Sequence, residues 1–214
     1  MNAEVLGITA LSLKVAVSAT AIACALGVPL GFWLGGTRLQ GRRGLLVVLN
    51  TALAFPTVVI GLALYLLLSR HGPLGGLGLL YTWQAIVVAE VVLAVPIATA
   101  LSAAAVQAVD PRVRRTALTL GAGPLATAWA VAREARATLL AAVVVAFGRV
   151  LSEVGAAMIV GGNLRGETRT LTTAVALATS QGQFELAIAL GLVLLALALT
   201  VNVVIHLLHR RGDA

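Results

Sequence analysis

The chain carries little charge of either sign, and this shortage narrows the classes of protein to which it can belong. Only 11% of its 214 residues are charged, whereas 60% are hydrophobic. Soluble domains carry about 25% charged residues, and a chain of this length is too short to enclose so apolar a core. Lipid is therefore the expected solvent for much of the surface.

Residue types that enzymes and metal sites require are also scarce. The only cysteine, Cys24, lies in an apolar run, so an intrachain disulfide and a cysteine-based zinc site are excluded. The only lysine, Lys14, lies in the same run, and the sequence contains no Gly-x4-Gly-Lys phosphate-binding loop. We predict that this chain is not an enzyme and that it binds no metal or cofactor. The three histidines show no ligand spacing: His71, His206 and His209.

Five apolar stretches have the length, about 20 residues, that a helix needs to cross the hydrocarbon core. Backbone polar groups in lipid must be bonded within the segment, so these stretches are predicted to be helices. The fold class is therefore all-α, a polytopic membrane protein with a single transmembrane domain over residues 1–214. The predicted spans are residues 7–34, 45–68, 85–106, 139–160 and 186–208.

Arginine is distributed unevenly between the connections, and this predicts the orientation. Ten arginines lie in the first connection, the third connection and the C-terminal tail, and three lie in the other connections. Positive residues favour the cytoplasm, so the N-terminus is predicted outside and the C-terminus inside. The same distribution explains the net charge of +7 without a nucleic-acid partner. The ten are Arg38, Arg42, Arg43, Arg112, Arg114, Arg115, Arg133, Arg136, Arg210 and Arg211; the three are Arg70, Arg165 and Arg169.

The third connection, residues 109–136, is too polar to span and too regular for a plain loop. Asp110-Pro111 has the pattern of a helix start, with an acidic cap before a proline. Glycine at Gly121 and Gly123 then separates this helix from a second one that starts at Pro124. The sequence predicts two short amphipathic helices on the cytoplasmic side. They lie on lipid or form a docking element for a cytoplasmic partner.

The spacing Ala117-x3-Gly121 between two spans resembles the cytoplasmic coupling loop of bacterial binding-protein-dependent ABC importer permeases. The family pattern begins Glu-Ala-Ala, and here those positions are Arg115, Thr116 and Ala117. The stretch Gly148-Arg-Val-Leu-Ser-Glu-Val-Gly-Ala-Ala-Met-Ile-Val-Gly-Gly-Asn163 resembles the molybdate, sulfate and tungstate branch of these permeases. The stretch Thr168-Arg-Thr-Leu-Thr-Thr-Ala-Val-Ala-Leu177, followed by residues 184–191, is similar to tungstate permeases.

This resemblance implies the type I ABC importer permease fold and an inner-membrane subunit that imports an oxyanion, with tungstate first and molybdate or sulfate as alternatives. It also implies a second copy of the chain, an extracytoplasmic binding protein, and two ATPase subunits that use the ATP and Mg²⁺. From the residues alone, a self-contained secondary transporter or a structural scaffold are the competing classes. The implied ATPase-coupling residues are Arg115, Thr116, Ala117, Gly121, Ala122 and Pro124.

Three ionisable residues fall inside predicted spans. Arg149 and Glu153 are one helical turn apart on the fourth span, and Glu90 lies on the third. Ionisable side chains at membrane depth usually pair and face the interior or water. They are predicted to form a structural ion pair or triad, or alternatively a gate that exchanges partners between inward- and outward-facing states.

The outer connection, residues 162–185, is long enough to hold a re-entrant or amphipathic helix. Hydroxyl and guanidinium groups are suitable donors to a tetrahedral dianion, which makes its polar residues candidates for the transport pathway. The alternative is that this helix packs the outer mouth and does not contact the anion. The pathway candidates are Asn163, Arg165, Arg169, Thr172 and Thr173.

Overall fold

The structure is a computed structural model that describes residues 2–37 and 41–211. All regular secondary structure in these residues is helical, which confirms the predicted fold class. Arg38 lies outside the described residues, as do the side chains of Arg43, His206, His209, Arg210 and Arg211. The helices are α1 Asn2–Gly36, α2 Arg42–Leu53, α3 Thr57–Leu68, a 3₁₀ turn Gly75–Leu77, α4 Trp83–Ala108, α5 Pro111–Thr119, α6 Pro124–Glu134, α7 Arg136–Leu151, α8 Gly155–Gly161, α9 Leu171–Ser180 and α10 Phe184–Arg211.

Three of the described helices are long and apolar enough to cross a membrane by themselves: α1, α4 and α10. Two further crossings are possible if each of two bent helix pairs counts as one span. These pairs are α2 with α3, bent by 94°, and α7 with α8, bent by 56°. The five predicted spans therefore correspond to three continuous helices and two broken ones.

The second span differs from its prediction as one helix over residues 45–68. Helix α2 ends at Leu53, and α3 begins after Pro56, which has an extended backbone conformation. Proline has no N–H to donate and disfavours helical geometry in the residue before it, so the helix breaks at Phe55-Pro56. Pro29 and Pro96, by contrast, lie inside continuous helices.

Helices α1 and α4 form the most extensive helix–helix contact of the described chain. They run parallel, because successive glycines of α1 meet successive positions of α4. A Cβ atom at Gly27 would lie 2.7 Å from Cβ of Ala98, and one at Gly31 would lie 2.3 Å from the carbonyl oxygen of Thr99. Gly35 meets Val106 in the same way. Small residues four apart let two helix backbones approach closely in lipid, so this glycine stripe joins α1 to α4.

The remaining helices pack around this pair. Helix α7 contacts both α1 and α4, and α8 packs between α4 and α3. At the α3–α8 contact, a Cβ atom on Gly61 would lie 2.8 Å from Cα of Ala156. Helix α9 lies against α10 and the N-terminal half of α1. This arrangement brings the break between α7 and α8 into the centre of the subunit.

Candidate functional site

The fourth predicted span, residues 139–160, is interrupted at Ser152-Glu153-Val154 and is not one continuous helix. Helix α7 ends at Leu151, and α8 begins at Gly155 after Val154, whose φ and ψ of −122° and −50° are not helical. A broken membrane helix exposes backbone N–H and C=O groups that need partners. Glu153, within the break, supplies two such partners, one to the N–H of Ala156 and one to the carbonyl of Val150.

Glu153 is buried and uses both carboxylate oxygens. Its Oε2 accepts a 2.8 Å hydrogen bond from Nη1 of Arg149, and its Oε1 accepts a 3.1 Å bond from the backbone N–H of Ala156. The second bond caps the first turn of α8, where a negative charge is favourable to the helix dipole. Glu153 therefore pairs with Arg149 on α7 and holds the start of α8.

The N-terminus of α9 is bonded to the same break. The hydroxyl of Thr172 donates to the backbone carbonyl of Glu153 at 2.7 Å, and Thr170 and Thr173 cap α9 reciprocally. The backbone N–H of Leu171 donates to the hydroxyl of Ser12 on α1 at 2.8 Å. Thr172 and Thr173, both candidates for the transport pathway, are buried in this structure. Their hydroxyls contact backbone groups of the break and of the start of α9.

Glu90 on α4 borders a small cavity beside this cluster. The cavity has a volume of about 20 Å³, enough for one water molecule, and Ser12, Glu153, Thr170 and Thr172 also line it. Glu90 is 2% exposed. Within the described residues Glu90 forms no ion pair. Of the two structural arrangements that the sequence left open, the pair or the triad, the structure therefore shows an Arg149–Glu153 pair, with Glu90 lining the same cavity.

In the loop between α8 and α9, the predicted oxyanion donors contact a carboxylate of the same chain. Arg165 donates from Nε to Glu4 Oε1 at 2.7 Å and from Nη2 to Glu4 Oε2, and Nη1 of Arg169 lies 3.8 Å from Glu4 Oε1. Asn163 adopts a left-handed backbone conformation with φ of 51° and donates its side-chain amide to the carbonyl of Thr173. In this conformation Arg165, Arg169 and Asn163 connect the loop between α8 and α9 to α1 and α9.

The turn of the hairpin formed by α5 and α6 has a left-handed glycine conformation. Asp110 caps α5 by accepting from the N–H of Arg112 at 2.8 Å. Gly121 has φ of +81°, its N–H donates to Leu118, and the N–H of Ala122 donates to Ala117. These paired bonds form a Schellman ending, in which a left-handed glycine stops the helix. Ala117, Gly121 and Ala122, all predicted coupling residues, thus define the turn between α5 and α6.

One face of the hairpin is buried, whereas its apolar face is exposed. Thr127 and Val131 of α6 are buried, whereas Leu120, Leu125 and Trp129 are 81%, 85% and 72% exposed. Arg114 donates from Nη1 to the carbonyl of Gly36 at 2.9 Å, which links the hairpin to the C-terminal end of α1. The other predicted coupling residues, Arg115, Thr116 and Pro124, are exposed on the same hairpin.

Three features around the Glu153 break and the loop between α8 and α9 were not predicted from the sequence. Ser12 and Glu4 received no role, because their partners are about 160 residues away in the chain. The break at Glu153 was also missed, although Ser152-Glu153 before Gly155 is a recognisable cap-like signal inside an apolar run. The apolar content of residues 139–160 outweighed that signal.

Comparison with known proteins establishes the class of protein to which this chain belongs. The model of the family described as binding-protein-dependent transport system inner membrane component matches residues 27–213. The chain belongs to this family, whose members are transport components and not enzymes, and the predicted resemblance is confirmed.

Its relatives fall within one group of transporters. A probable anion ABC transporter permease protein of Haloferax volcanii is 41% identical over 172 residues, which cover 78% of this chain and 74% of the relative. A tungstate uptake system permease protein of Peptoclostridium acidaminophilum is 42% identical over 171 residues, 80% of this chain and 75% of the relative. A molybdenum transport system permease protein of Azotobacter vinelandii is 32% identical over 169 residues, 75% of each.

The fold is shared with a solved transporter. A chain in the crystal structure of an amino acid ABC transporter with histidines superposes with a TM-score of 0.71, covering 98% of this chain and 94% of that chain. The sequences are only 19% identical, so this likeness speaks for the fold alone. It agrees with the predicted ABC importer permease architecture.

Proposed function

We propose that this chain is the membrane subunit of an ATP-driven, binding-protein-dependent importer of tungstate, with molybdate as the nearest alternative substrate. Two copies would enclose the translocation pathway, two separate ATPase subunits would bind ATP and Mg²⁺, and an extracytoplasmic protein would deliver the anion. The identity of more than 40% to a tungstate uptake permease over most of the chain carries the substrate assignment.

The α5–α6 hairpin supports the proposed coupling to an ATPase. Its apolar face is solvent-exposed in the isolated subunit, and an exposed apolar patch on a rigid element commonly marks an interaction site. The Schellman turn at Gly121 gives the tip a fixed shape. A rigid tip that is also tied to α1 through Arg114 is suited to transmitting movement of a cytoplasmic partner to the membrane helices.

The proposed orientation places the N-terminus outside and the hairpin in the cytoplasm. Arg112, Arg114 and Arg115 lie on α5, and Arg133 and Arg136 lie at or beyond the end of α6. This cluster follows the preference of basic residues for the cytoplasmic side. The Glu4–Arg165 pair then lies at the outer mouth, on the side from which the binding protein would approach.

Within the membrane, the Arg149–Glu153 pair is the part of the cluster suited to a change of state. It lies at the joint between α7 and α8, and a joint between two helices is where rigid segments can rotate against each other. In the gating mechanism proposed here, ATP-driven closure of the ATPase subunits moves the hairpin, and the joint changes its angle between inward- and outward-facing states. The gating mechanism also includes an exchange of ion-pair partners between the two states, and Glu90, which lines the same cavity, is a candidate for that exchange.

Uptake of labelled tungstate by cells that lack this gene tests the proposal. Wild type should restore uptake, and Gly121→Asp should reach the membrane but fail to transport, because a charged residue strained at positive φ alters the docking tip. Gly182→Asp is a matched control, since Gly182 also has a positive φ of 71° and open space around it but lies in the outer loop.

The outcomes separate the parts of the proposal. Uptake restored by wild type and Gly182→Asp but not by Gly121→Asp supports an importer driven through the hairpin. Unchanged tungstate uptake in the deletion strain, where no second importer operates, would reject tungstate, and the same assay with molybdate then tests the alternative. Normal uptake by Gly121→Asp would reject the coupling role of the hairpin.

A further inference from the structure

Helix α7 leaves one stripe of its surface uncovered by the rest of the subunit. The stripe repeats at three- and four-residue spacing, so its members share one helix face. Thr138, Ala141 and Val145 are exposed along it, and so is Ser152, which follows α7 directly as its C-cap and keeps a right-handed helical backbone. Arg149 belongs to the same stripe, and its side chain is 37% exposed, although Glu153, its ion-pair partner, is buried.

This stripe differs in chemistry from the surface that α10 presents. Helix α10 is also largely uncovered, but its exposed positions include Leu192, Leu195 and Leu199 at the same spacing. An apolar stripe is suited to contact with lipid tails. A guanidinium is not, and charged groups at membrane depth face protein or water. Since Arg149 lies about 20 Å along the rise of α7 from Arg136, the α7 stripe should face water or another subunit.

Most hydrogen-bond donors of the Arg149 guanidinium have no partner within the described residues. A guanidinium has five N–H donors, and one of them is used by Glu153. In the part of the chain that the structure describes, no protein acceptor is bonded to the other donors of Arg149. The planar fork of a guanidinium matches two oxygens of a tetrahedral oxyanion, which gives arginine its preference for such ligands.

We propose that the α7 stripe lines the translocation pathway and that Arg149 is a transient binding site there for the tetrahedral oxyanion. This inference rests on the proposed function and extends it by naming the residue that contacts the anion within the membrane. Glu153 fixes the guanidinium in place and offsets part of its charge. A pathway site must bind strongly enough to admit the ion and weakly enough to release it. An arginine whose charge is partly neutralised by a neighbouring carboxylate meets both requirements.

The single native cysteine makes the pathway face directly testable. In a Cys24→Ser background, Ser152→Cys places a thiol on the α7 stripe and Leu195→Cys places one on the apolar stripe of α10. Both are expressed with the partner subunits in membrane vesicles and treated with a water-soluble thiol reagent. We expect Ser152→Cys to be modified and Leu195→Cys to remain unmodified, with tungstate slowing the modification of Ser152→Cys. Failure of Ser152→Cys to react from either side of the membrane would overturn the pathway assignment.

A second experiment separates anion binding from a purely structural role of Arg149. Loss of a charged hydrogen-bond donor should lower the uptake rate of Arg149→Gln about tenfold or more, while Arg149→Lys should retain part of it. If Arg149 serves only to neutralise Glu153, the double variant Arg149→Gln/Glu153→Gln should regain uptake. We expect it to stay defective, and we expect tungstate no longer to slow the modification of Ser152→Cys when Arg149→Gln is present, because the anion lacks its partner. Recovery of the double variant to the wild-type rate, or unchanged protection by tungstate in Arg149→Gln, would overturn the anion-binding role.

Failure of this inference can be told apart from failure of the proposed function. Wild-type uptake of tungstate together with an unreactive Ser152→Cys would reject the inference and leave the importer assignment standing. Absence of wild-type uptake of both tungstate and molybdate would reject the proposed substrate class and, with it, the anion assigned to Arg149. The thiol modification would then still decide whether the α7 stripe faces water.

Discussion

At the scale of single residues, Glu153 combines two tasks that substitution can separate. Glutamine keeps an oxygen that can accept from the N–H of Ala156 but loses the charge that pairs with Arg149, whereas alanine loses both. We expect Glu153→Gln to abolish uptake while the protein still assembles. We expect Glu153→Ala to lower the thermal unfolding midpoint further, since removing a helix cap costs about 1 kcal/mol.

Uptake assays and unfolding of the detergent-solubilised protein check this pair of variants. Normal assembly together with normal uptake by Glu153→Gln would reject both the structural and the gating interpretation of the ion pair. Equal unfolding midpoints for the two variants would show that the bond to Ala156 does not stabilise α8.

Gly31 offers a residue-scale test of helix packing. A Cβ atom there would lie 2.3 Å from the carbonyl oxygen of Thr99 and 2.7 Å from Cβ of Ser102. Gly31→Ala should therefore destabilise the protein by about 1–3 kcal/mol, the range for overpacking. Gly7→Ala on the same helix is the matched control, because nothing lies within 4 Å of its added Cβ. The unfolding midpoint measures both, and an unchanged midpoint for Gly31→Ala would contradict the close α1–α4 packing.

At the scale of helices, the α5–α6 hairpin carries a prediction about binding. Leu125 is 85% exposed, so Leu125→Asp should leave the fold intact and remove an apolar contact with the ATPase. Co-purification of the ATPase subunit should be lost, and tungstate uptake with it. Leu77, in the 3₁₀ turn Gly75–Leu77, is 62% exposed; Leu77→Asp serves as the control and should retain both.

The same variant distinguishes the two interpretations of the hairpin that the sequence left open. If α5 and α6 only lie on lipid, Leu125→Asp should weaken their membrane contact without affecting recovery of the ATPase. Retention of the ATPase by Leu125→Asp would therefore favour the lipid interpretation.

At the scale of the whole molecule, the distribution of arginine predicts the topology. An alkaline phosphatase domain fused at the N-terminus should be active, because this enzyme folds only outside the cytoplasm. A green fluorescent protein fused at the C-terminus should be fluorescent inside the cell. The reverse pattern would place the α5–α6 hairpin outside and remove the basis for its coupling role.

The sequence anticipated this architecture where one local signal dominated. The length of the apolar runs predicted α1, α4 and α10. The helix-start pattern Asp110-Pro111 and the glycine at Gly121 predicted the hairpin. The prediction failed where several signals competed over a short stretch. At Pro56 and Glu153, a break divides a run that is mostly apolar. The prediction also failed for contacts between distant positions, such as Ser12 with Leu171, since local periodicity carries no information about pairing at long range.

The parallel packing of α1 against α4 also has a consequence for how the protein is made. Neighbouring spans that form an antiparallel hairpin can associate as soon as the second leaves the ribosome. Here Gly31 meets its partners Thr99 and Ser102 about 70 residues later in the chain, and α2 and α3 lie between them in the sequence. We therefore expect α1 to remain without its packing partner until α4 has been synthesised. Substitutions along the glycine stripe should then act during biogenesis, by exposing unpaired α1 to proteases.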